Sequence, residues 1–210
     1  DDRSRSPPQK QGIEEMKKLL IHGWGYDTSA ARAKTYAEWA MGTKWTSDEI
    51  EGLEWDSVPL GTGKFRLFES WAKGYIKPPL STACYRRAWD NCKEAADTAK
   101  HLIKHYDGEV HIVAHSLGTR VARLILEDEF VNFKGRVVLL HGSDYVGPWL
   151  HICNIRPNTL ILNVRSEHDQ VLKLLGQHFG PNGFNEDVVG LHGIGEVHPF
   201  SRFFEIPPNV

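Results

Sequence analysis

Apolar residues along the chain fall into two alternating patterns. Residues 18–21 (KLLI), 110–114 (VHIVA), 136–140 (RVVLL) and 159–164 (TLILNV) are short runs rich in aliphatic and β-branched side chains. That is the signature of strands buried on both faces of a parallel sheet. Residues 53–58 (LEWDSV) read as a further short strand, and 187–191 (DVVGL) as the last one. Between the strands the period changes to that of a helix. Residues 82–106 place Tyr85, Ala88, Trp89, Cys92, Ala95, Ala96, Ala99, Leu102, Ile103 and Tyr106 on one stripe, and Asp107-Gly108 supplies the stop. Residues 29–41 read as a helix with Asp27 or Thr28 as its cap, 171–178 as another, and a further helix follows Ser116 with Val121, Ala122, Leu124 and Ile125 on its apolar face. Strand and helix in alternation predict an α/β fold: a mostly parallel, doubly wound sheet of about six strands with helices on both faces. In such sheets ligands bind beyond the carboxyl ends of the strands.

Length and composition narrow this further. The 210 residues suit one domain, 13–210, preceded by a loose polar tail at 1–12 (DDRSRSPPQKQG). A net charge of −2 gives no basic excess for a nucleic acid or an anionic membrane, and no apolar run reaches the roughly 18 residues of a membrane span. Three cysteines, Cys84, Cys92 and Cys153, form neither a disulfide framework nor a zinc knuckle, which favours a reducing, cytoplasmic setting. The sequence begins at Asp1 and shows no signal peptide; one removed before Asp1 stays open.

The chemistry centres on Ala114-His115-Ser116-Leu117-Gly118, which follows a strand at once and opens a helix. A serine on that sharp turn, with small residues two before and two after it, has its hydroxyl pushed into the open. The bland alternative is a serine that only caps its helix. The turn and the element order, over roughly residues 17–172, resemble the α/β-hydrolase superfamily and, within it, small lipase- or esterase-like bacterial hydrolases. The usual motif is G-x-S-x-G, with Ala114 here replacing its first glycine.

The resemblance implies a set of roles. Ser116 is the nucleophile. His22-Gly23-Trp24-Gly25, after the first strand, matches the family's H-G-x segment, so the backbone N–H groups of Trp24 and Leu117 form the oxyanion hole. Asp169 resembles the family's acid in its D-x-x-L setting, with Glu167 and Asp144 as rivals. The base follows the acid in the chain, and three histidines do so: His178, His192 and His198. His198 is preferred because it falls in the loop after residues 187–191. If residues 203–206 (FFEI) are instead the last strand, the family's histidine position lies beyond Val210. The implied reaction is hydrolysis of a small-molecule carboxylic ester, which needs no metal and no organic cofactor. A second possibility is a non-catalytic protein of the same fold that binds a ligand or a partner. Oligomeric state is not readable.

Two weaker features remain. His101 and His105 stand four apart on the long helix, but Lys100 and Lys104 beside them mark a solvated face rather than a metal site. Residues 61–80, with Phe65, Phe68, Trp71 and Tyr75, are either a surface loop or a lid over the pocket; their GTGK lacks the rest of a phosphate-binding loop.

Overall fold

The computed structural model describes residues 17–23, 50–57, 78–169, 172–173, 188–193 and 203–206. The tail at 1–12, the helix expected at 29–41 and the lid segment up to residue 77 lie outside these. Six strands form one sheet: β1 (Lys17–Ile21), β2 (Ile50–Gly52), β3 (Val110–His115), β4 (Arg136–Leu140), β5 (Leu160–Val164) and β6 (Phe203–Ile206). Their order is β2-β1-β3-β4-β5-β6, and every neighbouring pair is parallel. Helices α1 (Pro78–His105), α2 (Gly118–Leu126), α3 (Val146–Ile155) and α4 (Val189–His192) complete the described elements. The fold is α/β.

Alternation along the strands sorts the side chains onto two faces. Leu19, Ile21, Ile112, Ala114, Val137, Leu139 and Ile161 join the main core with the apolar stripes of α1, α2 and α3. Four alanines on α1 (88, 95, 96 and 99) are almost fully buried, and their small size lets the helix lie close against its neighbours. The opposite face carries Leu20, Val113 and Leu140 with Ile50, Val138 and Val164 packed beside them. Among the described residues no helix packs on this second face. α1 ends where its sequence predicts: Asp107 and Gly108 both take positive φ (50° and 82°), and the Gly108 N–H reaches back to the Ile103 carbonyl at 2.9 Å. No helix among the described residues is long and apolar enough to cross a membrane.

Three expectations need correction. The strand expected at 53–58 is β2, at Ile50–Gly52; Leu53 is buried just past its end, and residues 53–57 are irregular. The strand expected at 187–191 is not one. Val188 makes a single antiparallel bridge to Tyr145, and the backbone then winds into α4. The last described strand is β6, paired to β5 from Ile161↔Phe203 to Val164↔Ile206, so His198 precedes that strand instead of following the last one. α3 has no counterpart in the sequence reading. Pro148 sits in its first turn, where a missing N–H costs nothing.

Candidate active site

Successive strands run outward from β1 in both directions, β2 on one side and β3 on the other, so the sheet's switch point is the crevice between β1 and β3. Ser116 stands there, one residue past β3. Its φ is +50°, the left-handed region that a serine enters at a cost of about 1–3 kcal/mol. The surroundings hold it in place. The Ser116 N–H donates to the Leu140 carbonyl (2.9 Å). The Ser116 carbonyl accepts from the Thr119 N–H (3.1 Å), the Ser143 N–H (3.2 Å) and the Thr119 hydroxyl (2.7 Å).

The small residues of the motif have visible work. A Cβ on Gly118 would lie 2.3 Å from the Ile21 carbonyl oxygen and 2.7 Å from that of His22, so only glycine lets α2 begin against the end of β1. Ala114 is fully buried between its register partners Ile21 and Leu139. From the other side Gly23 closes on the serine: a Cβ there would stand 2.6 Å from Ser116 Cβ and 3.1 Å from Oγ. Leu117 is buried and leads into α2, whose first N–H groups have no partner within the helix and point their positive dipole end at the turn. Trp24, the other expected oxyanion donor, lies outside the described residues, as do His178 and His198.

Asp169 follows β5 on the same edge. Its Oδ1 accepts the Leu172 N–H (3.0 Å) and its carbonyl accepts the Lys173 N–H (3.1 Å), so it caps the next turn. Its Oδ2 faces His141 Nδ1 at 3.2 Å. The capping and functional readings of this carboxylate therefore concern different oxygens. His141 lies ahead of Asp169 in the chain, outside the serine–acid–histidine order that the resemblance implies.

The two rival acids are engaged elsewhere. Asp144 has no exposed surface and accepts from Arg123 Nε at 2.5 Å, with Arg120 at 3.7 Å from its other oxygen. Burial raises its carboxyl above the ordinary value, and the Arg123 guanidinium opposes that. Arg120 in turn lies over the Trp89 ring, 4.0 Å from its centre. Glu167 is a surface group, 68% exposed and paired with Arg165 at 2.8 Å, which lowers its pKa. His192 is exposed at the end of α4, on the side of Glu167.

Two further imidazoles face the cluster. His115 precedes the serine, and burial drives its pKa down to about 3, with the nearby imidazoles of His141 and His22 adding to the effect and the Asp169 carboxylate opposing it. It is neutral at physiological pH. His22 tilts against Trp55 at 5.3 Å between ring centres, and the Trp55 indole N–H donates to the His22 carbonyl (3.3 Å). Among the described residues no three His, Cys, Asp or Glu side chains are grouped to hold a metal ion.

The arrangement offers a serine on a strained, well-anchored backbone, helix N–H donors beside it and a carboxylate–imidazole pair on the same edge. No protein-family model matches the chain, and no curated protein sequence matches it.

Proposed function

We propose that this chain is a serine hydrolase on an α/β-hydrolase fold and that it cleaves a small-molecule carboxylic ester. One observation carries the reading: Ser116 in the left-handed region between β3 and α2, at the switch point, with Gly23 pressed against it. A helix cap needs no such strain. Ser116 Oγ attacks the acyl carbon, and the negative charge that develops on the carbonyl oxygen is met by the N–H of Leu117 and, from the segment after Gly23, that of Trp24. Each such donor is worth roughly 2.7–4 kcal/mol in the transition state. A histidine takes the serine proton and returns it to the leaving alcohol, and Asp169 holds that histidine's tautomer and balances its charge. The family's pattern, a histidine after the last strand, does not select His198, which precedes β6 in the chain. This chemistry calls on no metal and no organic cofactor.

The test is turnover of p-nitrophenyl acetate. Ser116→Ala should lower it by about a thousandfold or more, because covalent attack is lost, while the variant stays folded. Undiminished turnover in a pure, folded variant would end the assignment.

A further inference from the structure

Ser116 and His141 occupy equivalent places on neighbouring strands. His115 is paired with Leu140 in the β3–β4 register, so Ser116 and His141 are the next residues out on each. Adjacent strands lie about 4.8 Å apart, which brings the two backbones side by side. Both residues are in the left-handed region, at φ 50° and 48°. Strain at a non-glycine residue persists only where the surroundings impose it. Here the His141 N–H donates to the Val164 carbonyl (3.0 Å), and a Cβ on Gly190 would stand 2.6 Å from the His141 carbonyl carbon. The turn after β4 is thus fixed from both sides, and the His141 side chain is left 38% exposed at the carboxyl edge.

Its Nδ1 faces Asp169, whose other oxygen is anchored by the Leu172 N–H. A carboxylate on Nδ1 leaves Nε2 to move a proton. The ring is within ion-pair range without an aligned hydrogen bond, and catalytic hydrogen bonds commonly tighten only with substrate.

Resting on the serine-hydrolase reading, we infer that His141 is the general base of Ser116, so that nucleophile, base and acid come from the ends of β3, β4 and β5. Nε2 accepts the Ser116 proton as the Oγ–C bond forms. Collapse of the tetrahedral intermediate breaks the C–O bond of the ester, and the same proton passes to the departing alkoxide. Water then repeats the sequence on the acyl-enzyme, releasing the acid and restoring the serine.

The experiment compares fluorophosphonate labelling and p-nitrophenyl acetate turnover in the wild type, His141→Gly, His141→Asn, His192→Ala and His198→Ala. Glycine and asparagine both tolerate the left-handed backbone, and circular dichroism checks that each variant folds. Wild-type labelling tests the hydrolase reading alone; its absence would fail that reading before any histidine is compared. Given labelling, both His141 variants should lose at least about a hundredfold in rate, in line with the loss of a general base. Added imidazole should restore His141→Gly, and the wild type's histidine-like ionisation should vanish from its unrescued pH profile. His192→Ala and His198→Ala should stay within about threefold. Folded His141 variants that keep their activity would overturn the inference. So would imidazole rescue of the His198 or His192 variant in place of His141→Gly.

Discussion

Replacing Asp144 separates the two aspartates that the sequence leaves in competition. In the structure Asp144 is wholly enclosed, Arg123 is 6% exposed and Arg120 approaches from the same helix. Removing one partner of a buried ion pair costs about 3–5 kcal/mol, because the other charge stays buried. Asparagine keeps one acceptor oxygen, and Arg123 keeps its second partner, Glu127. The loss from Asp144→Asn should therefore sit near the lower end, about 3 kcal/mol. For a chain of this size that lowers the melting temperature by on the order of 6–12 °C. Asp169 bears a different load. Asp169→Asn keeps the oxygen that caps residue 172 but loses the charge facing His141, so stability should change by less than about 1 kcal/mol while ester turnover falls by orders of magnitude. The assay pairs urea denaturation with p-nitrophenyl acetate kinetics at 15 °C, where both variants are folded. Large loss of turnover and little loss of stability in Asp144→Asn, with the reverse in Asp169→Asn, would refute the assignment of acid and strut.

Three further substitutions follow from the same geometry. Gly118→Ala should destabilise by about 1–3 kcal/mol or more, against the gain of up to about 1 kcal/mol that helix propensity alone would give, because the new methyl meets the carbonyl oxygens of Ile21 and His22; a stabilised variant in urea titration would contradict it. Gly23→Ala should slow fluorophosphonate labelling at least tenfold through contact with Ser116 Cβ, and labelling at the wild-type rate would show that the segment does not close on the serine. His115 binds its proton less readily folded than unfolded, since its pKa falls to about 3 from an ordinary 6.5. Its contribution is therefore intact above pH 6.5 and is lost as pH falls toward 3, by up to about 1.4 kcal/mol per pH unit; His115→Gln should flatten this part of the stability–pH curve, and an unchanged slope would count against a neutral imidazole in the folded state.

Much of the frame was legible because local signals sufficed. β-branched runs place β3, β4 and β5 to within a residue, and the stripe from Tyr85 to Ile103 places most of α1. The failures are those of context. Residues 187–191 have strand composition, but among the described residues Val188 makes one isolated bridge, to Tyr145, while the Gly190 N–H is drawn to the Gly142 carbonyl (2.8 Å). α3 is apolar on several sides and shows no amphipathic stripe, so its period is silent. The serine turn is visible in sequence because a strand, a small residue, a serine and a glycine lie within a few positions. The fate of Asp144 is not visible, since Arg123 reaches it from α2. Nor is the pairing of His141 with Asp169, which depends on β4 and β5 lying side by side.

The most direct test of the central claim is where an activated-serine reagent attaches. The folded protein is incubated with a fluorophosphonate, digested, and its peptides are read by mass spectrometry. The expected result is a single stoichiometric phosphonyl adduct on Ser116, absent from Ser116→Ala and slowed in Asp169→Asn. No adduct on the folded protein, or one on another residue that persists in Ser116→Ala, would contradict it.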